Sequence, residues 1–193
     1  MNDYSCIIKC FKTVIEMLQD RNYIIPEQIL NLSPSEYRYM YNNNKYNFEV
    51  NNKNKKCFII FFLNVNGNIK INTVREHINK LKYNDNDEFL IIIKNINNSI
   101  KKLEKEYNCN IFEINKLQFN LTKHSLVPKH ILLKKEEVKE ELKRYNIDNK
   151  LHLPFILESD AVCKWYNYKS GGIVKIVRNS ITSGENYGLR YIK

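Results

Sequence analysis

Glycine is scarce in this chain, with five residues in 193. None of the five falls in a phosphate-cradling G-x-x-x-x-G-K loop, a G-x-G-x-x-G dinucleotide fingerprint or a G-x-S-x-G nucleophile turn. The nucleotide-binding and hydrolase classes built on those loops are excluded. The five cysteines (Cys6, Cys10, Cys57, Cys109, Cys163) are odd in number and contain no C-x-x-C pair. Cys6 and Cys10 lie four apart on one helical face, where ordinary burial is favoured over metal ligation. The longest apolar run, "CFIIFFLNV" (57–65), falls far short of the roughly 20 residues that span a bilayer. The N-terminus carries Asp3 and no apolar core of a secretion signal. A soluble intracellular protein is expected. The single tryptophan, Trp165, is most simply a core residue.

What is present is a folding composition: 43% hydrophobic residues and 12% aromatics, in a length that suits one or two small domains. Thirty-one basic residues against 21 acidic ones give a net charge of +10. That balance points to a polyanionic neighbourhood, nucleic acid first and acidic protein surface second. There is no basic tail. The bias toward Asn, Lys, Ile and Tyr is the mark of an AT-rich genome, of the kind found in protists and large DNA viruses.

Residues 5–20 carry Ile7, Phe11, Val14 and Leu18 at helical spacing. "SPSE" (33–36) predicts a helix start, with Ser33 as N-cap, Pro34 at the first position and Glu36 closing a capping box. The polar stretch 41–56 is expected to be a mobile loop with at most a short edge strand. "CFIIFFLNV" and "NIKIN" across Asn66-Gly67 predict a hairpin or a kinked strand pair. "VREHINKL" (74–81) is patterned as a helix, "EFLIII" (88–93) as a buried strand, "SIKKLEKEY" (99–107) as a helix and "NIFEI" (110–114) as a strand. Strands alternating with helices indicate an α/β core.

After residue 118 the pattern resets. "LVPKHILL" is extended around Pro128. Residues 134–145 form a charged surface helix with Val138, Leu142 and Tyr145 as its buried edge and a Glu140–Arg144 pair across one turn. "SDAVCKWY" starts a short helix capped by Ser159 or Asp160. "GGIVKIV" and "NYGLRYI" make a hairpin with Gly184 in the turn. Two domains are expected, 1–118 and 119–193. The first carries 17 basic and 13 acidic residues, the second 14 and 8.

A metal-dependent nuclease on such a core needs a carboxylate and then acid-x-Lys on the next strand. Asp85, Asp87 and Lys94 flank "EFLIII", but the position two before Lys94 is Ile92. Glu137-Val138-Lys139 and Asp148-Asn149-Lys150 have the spacing yet lie in or beside a charged surface helix. His124 and His130 have no acid or cysteine nearby at ligand spacing. No catalytic residue, metal site or cofactor is expected.

Several short motifs occur in order over about 75 residues: "LVPKH", a charged helix ending "LKRY", Leu153-Pro154, "VKIVR" (174–178), "TSG" (182–184) and "LRYI" (189–192). This segment resembles the C-terminal assembly domain of the shared fifth subunit of eukaryotic nuclear RNA polymerases, a domain that by itself makes up the corresponding archaeal polymerase subunit. "FKTVIEMLQDRNYII" (11–25) resembles the first helix of the eukaryotic N-terminal jaw. Departures are Phe155 where a basic residue is usual, Ala161 for a proline, Asn167 for a glycine and Gly172 for a glutamate.

The resemblance implies an α+β chain with a nuclease-like jaw and a small assembly domain. It would be a non-catalytic subunit of DNA-directed RNA polymerase, one copy per complex, docked on the largest subunit with its jaw near downstream DNA. The implied docking residues are His124, Leu126, Val127, Pro128, Lys129, His130, Leu153, Pro154, Lys175, Arg178 and Arg190. Lys53, Lys55, Lys56, Lys101 and Lys102 are the lysines expected near DNA, and no membrane is involved. The AT bias and the departures above favour a viral gene, whose product would sit in a virion or cytoplasmic viral factory; for a cellular gene the location implied is the nucleus. A diverged nuclease-fold enzyme and a stand-alone transcription adaptor remain the alternatives.

Overall fold

The computed structural model describes residues 3–52, 55–63, 69–180 and 184–193. The chain is α+β and divides into two compact units, Met1–Asn120 and Leu121–Lys193. The first unit contains α1 (Asp3–Asp20), α2 (Glu27–Leu30), α3 (Pro34–Asn43), β1 (Phe48–Asn52), β2 (Lys55–Phe62) and α4 (Ile71–Asn79). It continues with β3 (Glu88–Ile93), α5 (Asn98–Lys101), α6 (Leu103–Glu106) and β4 (Cys109–Glu113). Its sheet has the order β1-β2-β3-β4, with β1 antiparallel to β2 and the other pairs parallel.

Parallel neighbours need crossovers. Here α4 makes the first and α5 with α6 the second, and together they cover one sheet face: Phe58, Ile60, Phe89, Ile91, Ile93 and Ile111 pack with Val74, Ile78, Ile100 and Leu103. Helix α1 covers the other face. Its stripe of Ile7, Phe11, Val14 and Leu18 is buried, and the Phe11 ring lies 6.0 Å from that of Phe61. Covered on both faces, β3 is buried at all six positions, which is why it reads as an unbroken apolar run. The end of the unit folds back onto its start: Gln118 Nε2 donates to the Cys6 carbonyl at 3.2 Å and Asn120 Nδ2 to Glu16 Oε2 at 2.8 Å. These bonds account for a unit boundary after Asn120.

Three expectations are corrected here. "NIKIN" is no strand: Ile71 opens α4, because Ile71, Val74 and Ile78 form a helical stripe that outweighs a five-residue alternation. Asn66 and Gly67 lie outside the described residues. The stretch 41–56 is largely built into elements, with α3 running to Asn43, Asn44 closing it at φ 52°, and Tyr46 and Val50 buried on either side of the start of β1. The helix expected over 99–107 is two single turns that meet at Lys102. The Ser33–Glu36 capping box forms as expected: Ser33 N donates to Glu36 Oε2 at 2.7 Å, and Glu36 N to Ser33 Oγ at 3.3 Å.

The second unit contains β5 (Lys129–Leu132), α7 (Lys135–Arg144), β6 (Phe155–Ile156), α8 (Ala161–Tyr166), β7 (Ile173–Ser180) and β8 (Gly184–Ile192), with sheet order β5-β7-β8-β6. On one face Val174, Ile176, Ile192 and Ile156 pack with Cys163 of α8. On the other, Ile173 and Leu189 pack with Leu153 and with Val138 and Leu142 of α7. Asp160 caps α8, its side chain accepting from Val162 N, and Trp165 is fully buried. Tyr145 is exposed rather than part of the buried edge of α7, because it sits at the helix cap with its ring edge-on to Tyr187. Among the described residues the ion pair formed by α7 is Glu141–Lys175 rather than Glu140–Arg144. No helix is long and apolar enough to cross a membrane among the described residues.

Gly171 turns the chain into β7 at φ +92°, its N–H donating to the Ile192 carbonyl at 2.9 Å. A Cβ there would meet nothing within 4 Å, so the penalty of a side chain is backbone strain alone. Gly171→Ala is expected to destabilise this unit by about 1–2 kcal/mol, read as a lower urea midpoint of Trp165 fluorescence. An unchanged midpoint would mean that the turn relaxes freely.

Candidate docking face and buried charge network

The segment "SLVPKH" runs into an edge strand of its own sheet, with β5 pairing antiparallel to β7 from Lys129↔Val177 to Leu132↔Val174. Before that strand the chain turns: Val127 N donates to the His124 carbonyl at 2.9 Å, and Leu126 N to His124 Nδ1 at 3.2 Å. His130 Nδ1 donates to the Pro128 carbonyl at 2.7 Å. The two histidines thus brace the backbone on either side of Pro128. The braced turn leaves Leu126 84% exposed at a groove of about 700 Å³, shared with Val127, Pro128, Lys129, Val177 and Arg178.

Arg178 also lines a second cleft of about 230 Å³ with Pro154, Ile176, Gly188 and Arg190. A Cβ at Gly188 would meet nothing within 4 Å, so the cleft is open there. Arg190 Nη1 donates to the Phe155 carbonyl at 3.4 Å. Two of the expected docking residues are not free surface groups. Leu153 is buried against Ile173 and Leu189, where it supports the sheet. The Lys175 ammonium donates to Glu141 Oε1 at 2.8 Å and sits 3.8 Å from the Tyr187 ring centre, so its charge is satisfied within the unit. The arrangement offers apolar area and guanidinium donors to a polypeptide.

In the first unit the sequence missed a buried charge network at the N-terminal ends of β2 and β3. Arg21 and Glu88 have side chains only 4% and 7% exposed, with Arg21 Nη1 3.8 Å from Glu88 Oε2. Tyr23 Oη donates to Glu88 Oε2 at 2.8 Å, Lys55 Nζ to Glu88 Oε1, and Arg21 Nη2 to Asn110 Oδ1 at 3.0 Å. Burial pushes the Glu88 carboxyl up, but the hydrogen bonds from Lys55 and Tyr23 and the charges of Lys55 and Arg21 outweigh it and hold it below the usual carboxylate range. Burial lowers the Arg21 guanidinium and pushes the neighbouring Cys57 thiol up to about 12.

Asp87 and Lys94, which flank β3, stand apart. Asp87 accepts from Lys56 N and Asn84 N, both at 2.8 Å, so its two oxygens cap backbone groups. Lys94 follows the far end of β3, roughly 20 Å away at strand rise. Of the lysines expected near DNA, Lys55 is held by Glu88 and Lys56 lies 3.9 Å from Glu49. Lys101 and Lys102 are exposed at the end of α5, and Lys53 lies outside the described residues.

In the second unit an edge-strand turn presents leucine beside clefts lined by arginine, and in the first Glu88 and Asp87 are engaged internally. Residues 3–81 match the family model for RNA polymerase Rpb5, N-terminal domain, and residues 119–192 that for RNA polymerase Rpb5, C-terminal domain. The chain is 30% identical over 191 residues to the DNA-directed RNA polymerases I, II, and III subunit rpabc1 of Dictyostelium discoideum, with 95% of each chain covered. It is 30% identical over 173 residues to the DNA-directed RNA polymerase V subunit 5A of Arabidopsis thaliana, covering 84% of this chain and 77% of the relative. Against the RPABC1 subunit of Caenorhabditis elegans the identity is 24% over 196 residues, with 94% of this chain and 92% of the relative covered. The chain belongs to the Rpb5 family of DNA-directed RNA polymerase subunits. Members of this family are non-catalytic, and the assembled polymerase is the enzyme.

Proposed function

We propose that residues 119–193 dock this chain, in one copy, on the largest subunit of its polymerase, and that residues 1–118 face downstream duplex DNA. The observation that carries the docking reading is Leu126: a leucine this exposed, on a turn braced by two histidines, is an anchor awaiting a partner's pocket. Val127, Pro128, Lys129, Arg178, Pro154 and Arg190 complete the docking face. His124 and His130 act by shaping the turn. On the DNA side, Lys101 and Lys102 are the cations best placed for phosphate contacts, which are salt-sensitive and indifferent to sequence. The proposed location is the nucleus for a cellular gene.

The test is a tagged pull-down at moderate salt with the full chain and with a chain ending at Asn120. The full chain is expected to bring down a largest polymerase subunit in one-to-one ratio, and the truncated chain none. Equal recovery by both would place the anchor in the first unit and overturn this reading.

A further inference from the structure

The second unit carries eight acidic residues against fourteen basic ones, and half of those eight acids line one groove. It has a volume of about 480 Å³ and an apolar floor of Ile131, Leu133 and Val177. Its walls carry Glu137, Glu140 and Glu141 from α7, spaced to share a helix face, and Glu185 from β8. Two cations share the lining: Lys175 pairs with Glu141 of the groove itself and lies over the Tyr187 ring, and Arg144 lies 5.6 Å from the same ring. Glu137 accepts from the Lys134 amide in the cap of α7, which leaves Glu140 and Glu185 as the acids open to a partner. Glu141 Oε2 is sheltered and accepts no hydrogen bond. The groove is therefore negative and apolar-floored on a unit that is otherwise basic.

We infer that this groove is a second protein-docking site, which takes a basic segment of a partner polypeptide. An arginine or lysine would lie against Glu140 and Glu185, with a neighbouring aliphatic side chain on Ile131 and Val177. The sign of the groove disfavours nucleic acid, whose phosphates would meet Glu140 and Glu185 in a lining of four carboxylates and two cations. The groove adjoins the Leu126 groove of the proposed docking face, with which it shares Val177 and Glu185, whereas the cleft lined by Arg178 and Arg190 selects the opposite charge.

The test uses the full chain, isotope-labelled, titrated with an acetylated Leu-Arg-Leu-Arg peptide and, as control, its Leu-Glu-Leu-Glu counterpart. Saturable shifts are expected at the Ile131, Glu140 and Glu185 amides with the arginine peptide alone, weakening as salt is raised. The double variant Glu140→Lys/Glu185→Lys changes two exposed side chains and leaves Trp165 fluorescence as it is. It is expected to weaken binding about tenfold or more. Absence of saturable shifts at these amides, equal shifts with the glutamate peptide, or indifference to the double variant would each overturn the inference. This titration needs no polymerase, so its outcome is independent of the docking reading above. Within assembled polymerase, a photo-crosslinker at Ile131 should capture a protein segment with Arg or Lys beside an apolar residue. Capture of nucleic acid, or of a segment without a basic residue, would also overturn it.

Discussion

Glu88→Gln is expected to destabilise the first unit by about 3–5 kcal/mol, the range for removing one partner of a buried ion pair. Its size comes from what is left behind. Arg21 is 4% exposed on its side chain and would lose the Glu88 carboxylate 3.8 Å away. Lys55 is 37% exposed and can turn to water, so it adds little to the penalty. The double variant Arg21→Met/Glu88→Met should recover most of the loss, because an apolar pair of similar volume needs no desolvation of charge. Far-UV circular dichroism reports unfolding of both units, whereas Trp165 fluorescence reports the second unit alone. The expected result is a lower urea midpoint in the first signal with the second unchanged.

The same network sets an acid limit. The folded carboxyl of Glu88 is held below its ordinary value, so its stabilisation is complete above the ordinary carboxylate range and is lost as pH falls through the lowered folded value. The lead of the wild type over Glu88→Gln should therefore narrow below about pH 4. If Glu88→Gln lies within about 0.5 kcal/mol of the wild type at neutral pH, the network contributes no more than an ordinary surface contact.

Leu126→Asp is expected to leave the urea midpoint of Trp165 unchanged and to lower association with the polymerase by about 30-fold or more, corresponding to about 2 kcal/mol for a central anchor. The two readouts separate the roles. A leucine exposed to water gains nothing from its surroundings in the free chain, so its replacement cannot unfold the unit. Buried in a partner, the same side chain loses its apolar transfer and leaves a carboxylate without a partner. Polymerase recovery equal to wild type would remove Leu126 from the docking face.

Much of the fold was legible because it is local. The stripe of α1, the Ser33–Glu36 box, the unbroken run of β3 and the Asp160 cap each lie within a few residues, where helical or strand periodicity speaks directly. "NIKIN" misled because five alternating residues cannot be distinguished from the first turn of an amphipathic helix until Val74 and Ile78 are counted with Ile71. The charge network was invisible for the opposite reason. Tyr23 and Glu88 are 65 positions apart and Lys55 and Glu88 are 33 apart, and nothing in either neighbourhood names the other. The resemblance over residues 11–25 includes Arg21 and Tyr23 but gives no sign of what they surround. Of the residues proposed for docking, Leu126 is exposed and Arg178 lines two clefts, while Leu153 could be told from a surface leucine only by the strands that enclose it.

The bond from Gln118 to the Cys6 carbonyl has a consequence for synthesis. Helix α1 leaves the ribosome ahead of the rest of its unit, yet one segment that packs on it is among the last of that unit to appear, more than a hundred residues later. At about 5–20 residues per second that delay is roughly 5–20 s. During it Phe11 can already find Tyr37, Phe48 and Phe61, but the helix lacks the cover that residues 114–118 supply. Nascent chains of this protein should accordingly engage holding chaperones until residue 120 has cleared the exit tunnel, and release them within one narrow window of chain length.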